Sequence, residues 1–177
     1  FVFEFANMVY PTLWAFWGRE VFGWDTFTIG LTLSAYGILI AVVQAGVLPQ
    51  MTKYLGDYRT LLFAIAAAIV GMTGYGFTTA IWAVAVFLPV AALSDMAPPL
   101  MTAFAANQVG EDQQGLVQGV IASLSSVSAV AAPLAMTGIF ERFVNASGLY
   151  FPGAPFLVGA ALVLAILPLI WRLKFQS

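Results

Sequence analysis

The chain has 177 residues, of which 62% are hydrophobic and 8% charged, with a net charge of −2 and a mean hydropathy of +0.95. An ordinary soluble domain is about 45–50% apolar and about 25% charged, so a water-soluble globule is excluded and lipid is the solvent that fits. A pI near 4.8 argues against a basic surface for nucleic acid, and the absence of Cys and His removes disulfides, thiol catalysis, histidine relays and most zinc or haem ligation. No metal site or cofactor is expected, and any proton chemistry must use carboxylates.

Hydropathy and its polar or Gly/Pro interruptions predict an all-α membrane protein, a six-helix bundle with spans at 1–17, 26–48, 60–80, 82–106, 116–140 and 154–172. Short connections make successive helices antiparallel neighbours. The first span opens on Phe1 in mid-pattern, with no initiator Met and no signal-like basic region, so the natural chain is expected to extend further towards its N-terminus. Glu4, Asn7, Pro11 and Trp14 recur at helical spacing and give one polar, kinked face that should point inward. Glu4 lies about 20 Å from the outer end of its helix at about 1.5 Å per residue, in the inner half. It either faces a cavity or is solvated near the cytoplasmic surface. Tyr10, Trp14, Phe16 and Trp17 suit an aromatic substrate or face lipid.

Trp17 and Trp24 flank the first external turn, Trp82 opens the fourth span and Trp171 closes the last, as in an aromatic belt at headgroup level. On the second span Tyr36 and Gln44 share a broad face, and Gly30 and Gly37 allow close helix approach. Such uncharged polar residues bind substrate or join helices, and joining is the expected role. The loop PQMTKYLGDYR follows, with Asp57 as a candidate N-cap of the third span.

The fourth span holds Asp95, in SDMAPP. A charge at mid-membrane costs roughly 2.5–3.5 kcal/mol by insertion scales, so such residues mark functional sites by default. Pro98 and Pro99 remove backbone donors beside it, and broken helices at that depth line cavities or pack within protein. The alternative is an Asp that serves packing alone, bonded to Ser94 or to a freed carbonyl.

Gly115, Gly119 and Ser123 on the fifth span form a small-residue ridge for close packing. Ser123, Ser125, Ser126 and Ser128 can bond to carbonyls of their own helix. Asn145, Ala146 and Ser147 match a glycosylation acceptor pattern in an external loop, a triplet common by chance. Lys53, Arg59, Arg172 and Lys174 fall on one side, Arg19 and Arg142 on the other, which puts the C-terminus in the cytoplasm.

The stretches VYPTLWAFWGREVFGWDTFTIGLTLSAYGI, KYLGDYRTLL, NQVGEDQQGLVQGVIASLSSVSAVAAPL and YFPGAPFL resemble the last six helices of a tetracycline-resistance-type transporter of the major facilitator superfamily. Gln114-Gly115 and Gln118-Gly119, at the mouth of the fifth span, are the most specific part. The resemblance implies a twelve-helix transporter of two six-helix halves, with this chain as helices seven to twelve and the N-terminal half as its partner. It also implies proton-driven efflux of a drug or metabolite through a cavity between the halves, in the inner (plasma) membrane. The chain departs from the family in three places. Lys53 stands where the cytoplasmic gate motif has an acid, leaving Gly56, Asp57 and Arg59 as matches. Ala132-Pro133 replaces the usual Gly-Pro. Pro99 matches a family proline, whereas Asp95 stands where relatives have a small residue.

The leading expectation is an alternating-access antiporter for a small molecule and protons. Asp95 would be the coupling or substrate residue and Glu4 its partner, with Asn7, Pro11, Trp14, Tyr36, Gln44 and Pro99 lining the cavity. Asp57, Arg59, Gln114, Gly115, Gln118 and Gly119 would serve the cytoplasmic gate or packing. An uptake symporter of the same fold, or a six-helix scaffold or channel, is the alternative. Enzyme activity is not expected: there is no Gly-x-Ser-x-Gly segment with a His, and no paired aspartates on neighbouring helices.

Overall fold

The computed structural model describes residues 1–145 and 149–173, with no side-chain description at 172 and 173. Ala146 and Ser147 of the glycosylation triplet, and Lys174, lie outside the described residues, as does the Arg172 side chain. The described residues are mostly helical and contain no strand: α1 (Val2–Asn7), α2 (Val9–Phe22), α3 (Thr26–Val42), a π-helical turn (Val43–Val47), α4 (Leu48–Leu55), α5 (Asp57–Phe77), α6 (Ile81–Ser94), α7 (Ala97–Asn107), a 3₁₀ turn (Glu111–Gln113), α8 (Gln114–Asn145) and α9 (Ala154–Leu173).

Among the described residues, five uninterrupted or nearly uninterrupted helical stretches are long and apolar enough to cross a membrane: Thr26–Leu55, Asp57–Phe77, Ile81–Asn107, Glu111–Asn145 and Ala154–Trp171. The first predicted span is the pair α1 and α2, interrupted at Met8. The second and fifth helices run past their predicted ends, because PQMTKYL continues as α4 with Pro49 in its first turn and FERFVN stays in α8. Proline at the start of a helix sacrifices only an N–H that would lack a partner anyway.

Local sequence explains the turns. Gly23 adopts a left-handed φ of 67° and ends α2, with its N–H on Arg19 O and that of Trp24 on Gly18 O. This is the double closure that glycine favours at a helix C-terminus. Asp25 then caps α3, its carboxylate accepting from Thr28 N at 2.8 Å. These bonds to Thr28 hold the fully exposed carboxyl below its usual pKa. Between α4 and α5 stands Gly56 alone, at φ 79°. Asp57 is therefore the first residue of α5 rather than its N-cap, a correction that follows from how tightly glycine lets the chain turn.

The core centres on α5, which packs against α6 and α9, while α1 and α2 lie against α8 and α9, and α3 against α6. Trp17 and Trp24 are not belt residues. The turn at Gly23 folds Trp24 back onto Gly18, where a Cβ would run into its ring, and both tryptophans are buried in a cluster with Trp14, Phe22, Tyr75 and Phe156. Trp82 and Trp171 are exposed, at 69% and 63%, as interfacial anchors would be.

Candidate functional site: an acidic cavity between two broken helices

Two of the membrane helices break at the same cavity, each through a nearby proline. Pro11 supplies no N–H for the carbonyl of Asn7, and the helix interrupts at Met8 between α1 and α2. Pro98 and Pro99 likewise leave the carbonyls of Ser94 and Asp95 without their donors four residues on. The chain tightens there, with Asp95 N on Ala92 O at 3.2 Å and Met96 N on Leu93 O at 3.4 Å. Interrupted helices at membrane depth are tolerated where they line a cavity, and the interruptions at Met8 and Asp95, both still right-handed in φ and ψ, do so.

The cavity encloses about 350 Å³. Its walls include Glu4, Asn7, Tyr10, Pro11 and Trp14 from α1 and α2, Tyr36 from α3, Tyr75 from α5, and Asp95 and Pro98 from the α6–α7 break. Tyr36 donates its hydroxyl to Asp95 Oδ2 at 2.6 Å, across 59 residues of sequence. Short O–H···O⁻ bonds of this length are among the stronger ones in proteins. Asn7 also faces the Asp95 carboxyl group, and its Oδ1 is buried with no hydrogen-bond partner. The Tyr10 hydroxyl is a second buried polar atom left unpartnered.

The Trp14 ring is fixed by a bond from Nε1 to Thr32 Oγ1 at 2.9 Å, and it meets Tyr75 edge-on at 5.2 Å. Tyr75 donates to Val84 O at 3.4 Å. Ser94 donates to Ala91 O, so it is not the partner of Asp95.

Of the sequence-derived candidates, Glu4, Asn7, Pro11, Trp14, Tyr36 and Asp95 surround this one cavity. Gln44 and Pro99 do not line it. Gln44 lies in the π-helical turn and is exposed, eight residues and therefore roughly 80° around an α-helix from Tyr36. Pro98 takes the wall position, because adjacent helical residues point about 100° apart, and Pro99 is exposed. Sequence reasoning missed Phe3, Met8, Leu33, Tyr75, Leu88, Ala91 and Pro98, although all line the cavity, and offered Tyr10 only as a ring that suits an aromatic substrate or faces lipid. Nothing local marked Tyr75, which lies in the last turn of α5.

The gate candidates lie elsewhere. Asp57, Arg59, Gln114, Gly115, Gln118 and Gly119 are all exposed. The ridge of Gly115 and Gly119 has open space where a Cβ would stand, so close packing of that ridge is not made within the described residues. The serines of α8 back-bond, Ser123 to Gly119 O, Ser126 to Ala122 O and Ser128 to Leu124 O.

These features define a polytopic helical membrane protein with a carboxylate-bearing internal cavity. The chain is similar over 172 residues to the class G tetracycline resistance protein of Vibrio anguillarum, with 34% identity covering 97% of this chain and 43% of that protein. It is 33% identical to the class C tetracycline resistance protein of Escherichia coli, over 97% of this chain and 42% of that protein. Hippocampus abundant transcript-like protein 1 of Homo sapiens is 29% identical over 161 residues, 82% of this chain and 32% of that protein. The chain is similar along nearly its whole length to tetracycline resistance proteins of several classes, and spans less than half the length of these curated relatives. No family model matches the chain, and no solved structure does.

Proposed function

We propose that this chain is the C-terminal six-helix half of a proton-coupled efflux antiporter that works by alternating access, in the inner membrane with its C-terminus cytoplasmic. The observation that carries the reading is the Asp95 carboxylate, bonded to Tyr36 in a cavity built by two proline-broken helices. Discontinuous helices around a midplane site are a recurring arrangement in secondary transporters. The relatives are named for resistance to a drug, which export would give and uptake would not.

In this reading a proton and a substrate group compete for Asp95, with Glu4 as second acid in the same wall. Tyr36 and Asn7 stabilise the ionised carboxylate and hold it in place when neither is bound. The N-terminal half closes the cavity by docking on α3 and α8. Their spans are only 6% and 17% buried within this chain, and their small residues Gly30, Gly37, Gly115 and Gly119 stand open. Small residues let membrane helices approach closely. Asp57 and Arg59, after the Gly56 turn, and the Gln114–Gly119 stretch would meet the other half at the cytoplasmic rim.

The test is made in everted membrane vesicles containing the full-length protein, with a dye that reports the pH gradient. Tetracycline and a panel of lipophilic compounds are added in turn. The reading expects at least one compound to dissipate the gradient in a protein-dependent manner, and Asp95→Asn to abolish that signal. Gradient dissipation that survives Asp95→Asn unchanged removes this residue from the coupling, and no protein-dependent signal with any compound overturns efflux.

A further inference from the structure

The cavity holds acidic groups with no basic group to match them, and acceptors in excess. Two carboxylates, Glu4 and Asp95, stand in its wall, and no Lys or Arg does. A carboxylate offers about four lone-pair sites, of which the Tyr36 hydroxyl occupies one on Asp95 at 2.6 Å and Asn7 approaches another. Asn7 adds an Oδ1 that is buried and unpartnered, and Tyr10, only 6% exposed, adds an unpartnered hydroxyl. Buried polar atoms without partners are uncommon and call for an explanation. A ligand that brings N–H donors and a positive charge answers both deficits.

The rest of the wall is apolar, and five aromatic rings belong to the lining, those of Phe3, Tyr10, Trp14, Tyr36 and Tyr75, beside aliphatic residues such as Met8, Leu33 and Leu88. Ring faces attract cations and stack on other rings. At about 350 Å³ the space sits at the small end of ligand pockets, which suits one or two rings rather than a large polycycle on this wall alone.

Resting on the reading of this cavity as the transport site, we propose that it takes a protonated aromatic amine. The ammonium N–H groups bond to Asp95 and, once the Asn7 side chain turns its buried Oδ1 toward the cavity, to that oxygen, and the ring lies against Tyr10, Trp14 and Tyr36. A quaternary ammonium carries the charge but no N–H for Asn7. A neutral isostere carries neither. The ranking of the three ligands is therefore the signature of the site.

The experiment uses the full-length protein in lipid nanodiscs, with binding read by calorimetry. The probes are a naphthylethyl dimethylamine, its N-methylated quaternary salt and the uncharged analogue with carbon in place of nitrogen. The amine is expected to bind about tenfold or more tightly than the neutral analogue, with the quaternary salt between them. Asp95→Asn removes the preference for charge, Asp95→Glu restores part of it, and Asn7→Leu narrows the gap between amine and quaternary salt. Equal binding of the three probes, or no binding of the amine to the unaltered protein, overturns the proposal even if a variant misfolds. Gradient-driven movement of the three probes is then measured in vesicles. Movement of the neutral analogue with no preference for the amine overturns the ligand class and leaves the transport reading standing. Selective amine binding with no gradient-driven movement of any probe does the reverse.

Discussion

The glycines of α5 and those of α3 and α8 occupy helices of similar hydropathy, yet their surroundings are opposite. On α5 a Cβ at Gly74 would run into the Phe87 ring, one at Gly76 into Leu157, and one at Gly71 would meet the Tyr10 hydroxyl at 3.2 Å. On α3 and α8 a Cβ at Gly30, Gly37, Gly115 or Gly119 would meet nothing within 4 Å. The spans differ in the same way, 56% buried for α5 against 6% and 17%. Glycine in a membrane helix thus carries one meaning, close approach, with two addresses. On α5 the approaching helix belongs to this half, and in the proposed transporter the approach to α3 and α8 is made by the other.

The contrast breaks most sharply at Gly153, where the loop before α9 comes so near α5 that a Cβ would run into the backbone of Gly76. Backbone cannot move aside as a side chain can. Gly153→Ala should therefore cost about 1–3 kcal/mol or more, read as a lower midpoint of thermal unfolding in detergent. Gly119→Leu is the matched opposite. In the isolated six-helix chain it should change stability by less than about 0.5 kcal/mol, as surface substitutions do. In the full-length protein it should lower transport, and a loss of stability in the isolated chain as large as that of Gly153→Ala would erase the distinction.

A smaller effect is expected at Trp14→Phe, which keeps the ring among its aromatic neighbours but loses the 2.9 Å bond to Thr32. The cost should be about 0.5–1.5 kcal/mol, and Thr32→Val should add little on top of it in a double-mutant cycle. The smallest effect belongs to Asp25. Its pKa is lowered by the bonds to Thr28, so its contribution is present above the ordinary carboxylate pKa and fades as pH falls through the lowered one. Asp25→Ala should lower stability slightly at neutral pH, where the contribution is present, and flatten the profile through the acid range in which that contribution fades.

How much of this was readable beforehand depended on contrast with the background. Asp95, Glu4 and Asn7 stood out because charge and amide are rare in a chain that is 8% charged, and Pro11 and Pro98–Pro99 marked the breaks. Helical periodicity then grouped Asn7, Pro11 and Trp14 on one face. Tyr10 and Tyr75 had no such contrast in a chain with 15% aromatics, and only tertiary packing selects them. Tryptophans near helix ends were read as a belt, but Trp17 and Trp24 were drawn inward by the Gly23 turn. The partner of Asp95 was not legible either. Tyr36 lies 59 residues away, and neither residue's neighbours in sequence indicate the other.

The role of Asp95 in coupling is tested most directly by separating exchange from gradient-driven movement in the full-length protein. Proteoliposomes carrying Asp95→Asn are loaded with an unlabelled substrate and assayed for exchange of labelled substrate at equal pH on both sides, then for accumulation under an imposed pH gradient. The account predicts that gradient-driven accumulation is lost while exchange at equal pH persists. Accumulation at the level of the unaltered protein, with the same dependence on the gradient, would contradict it.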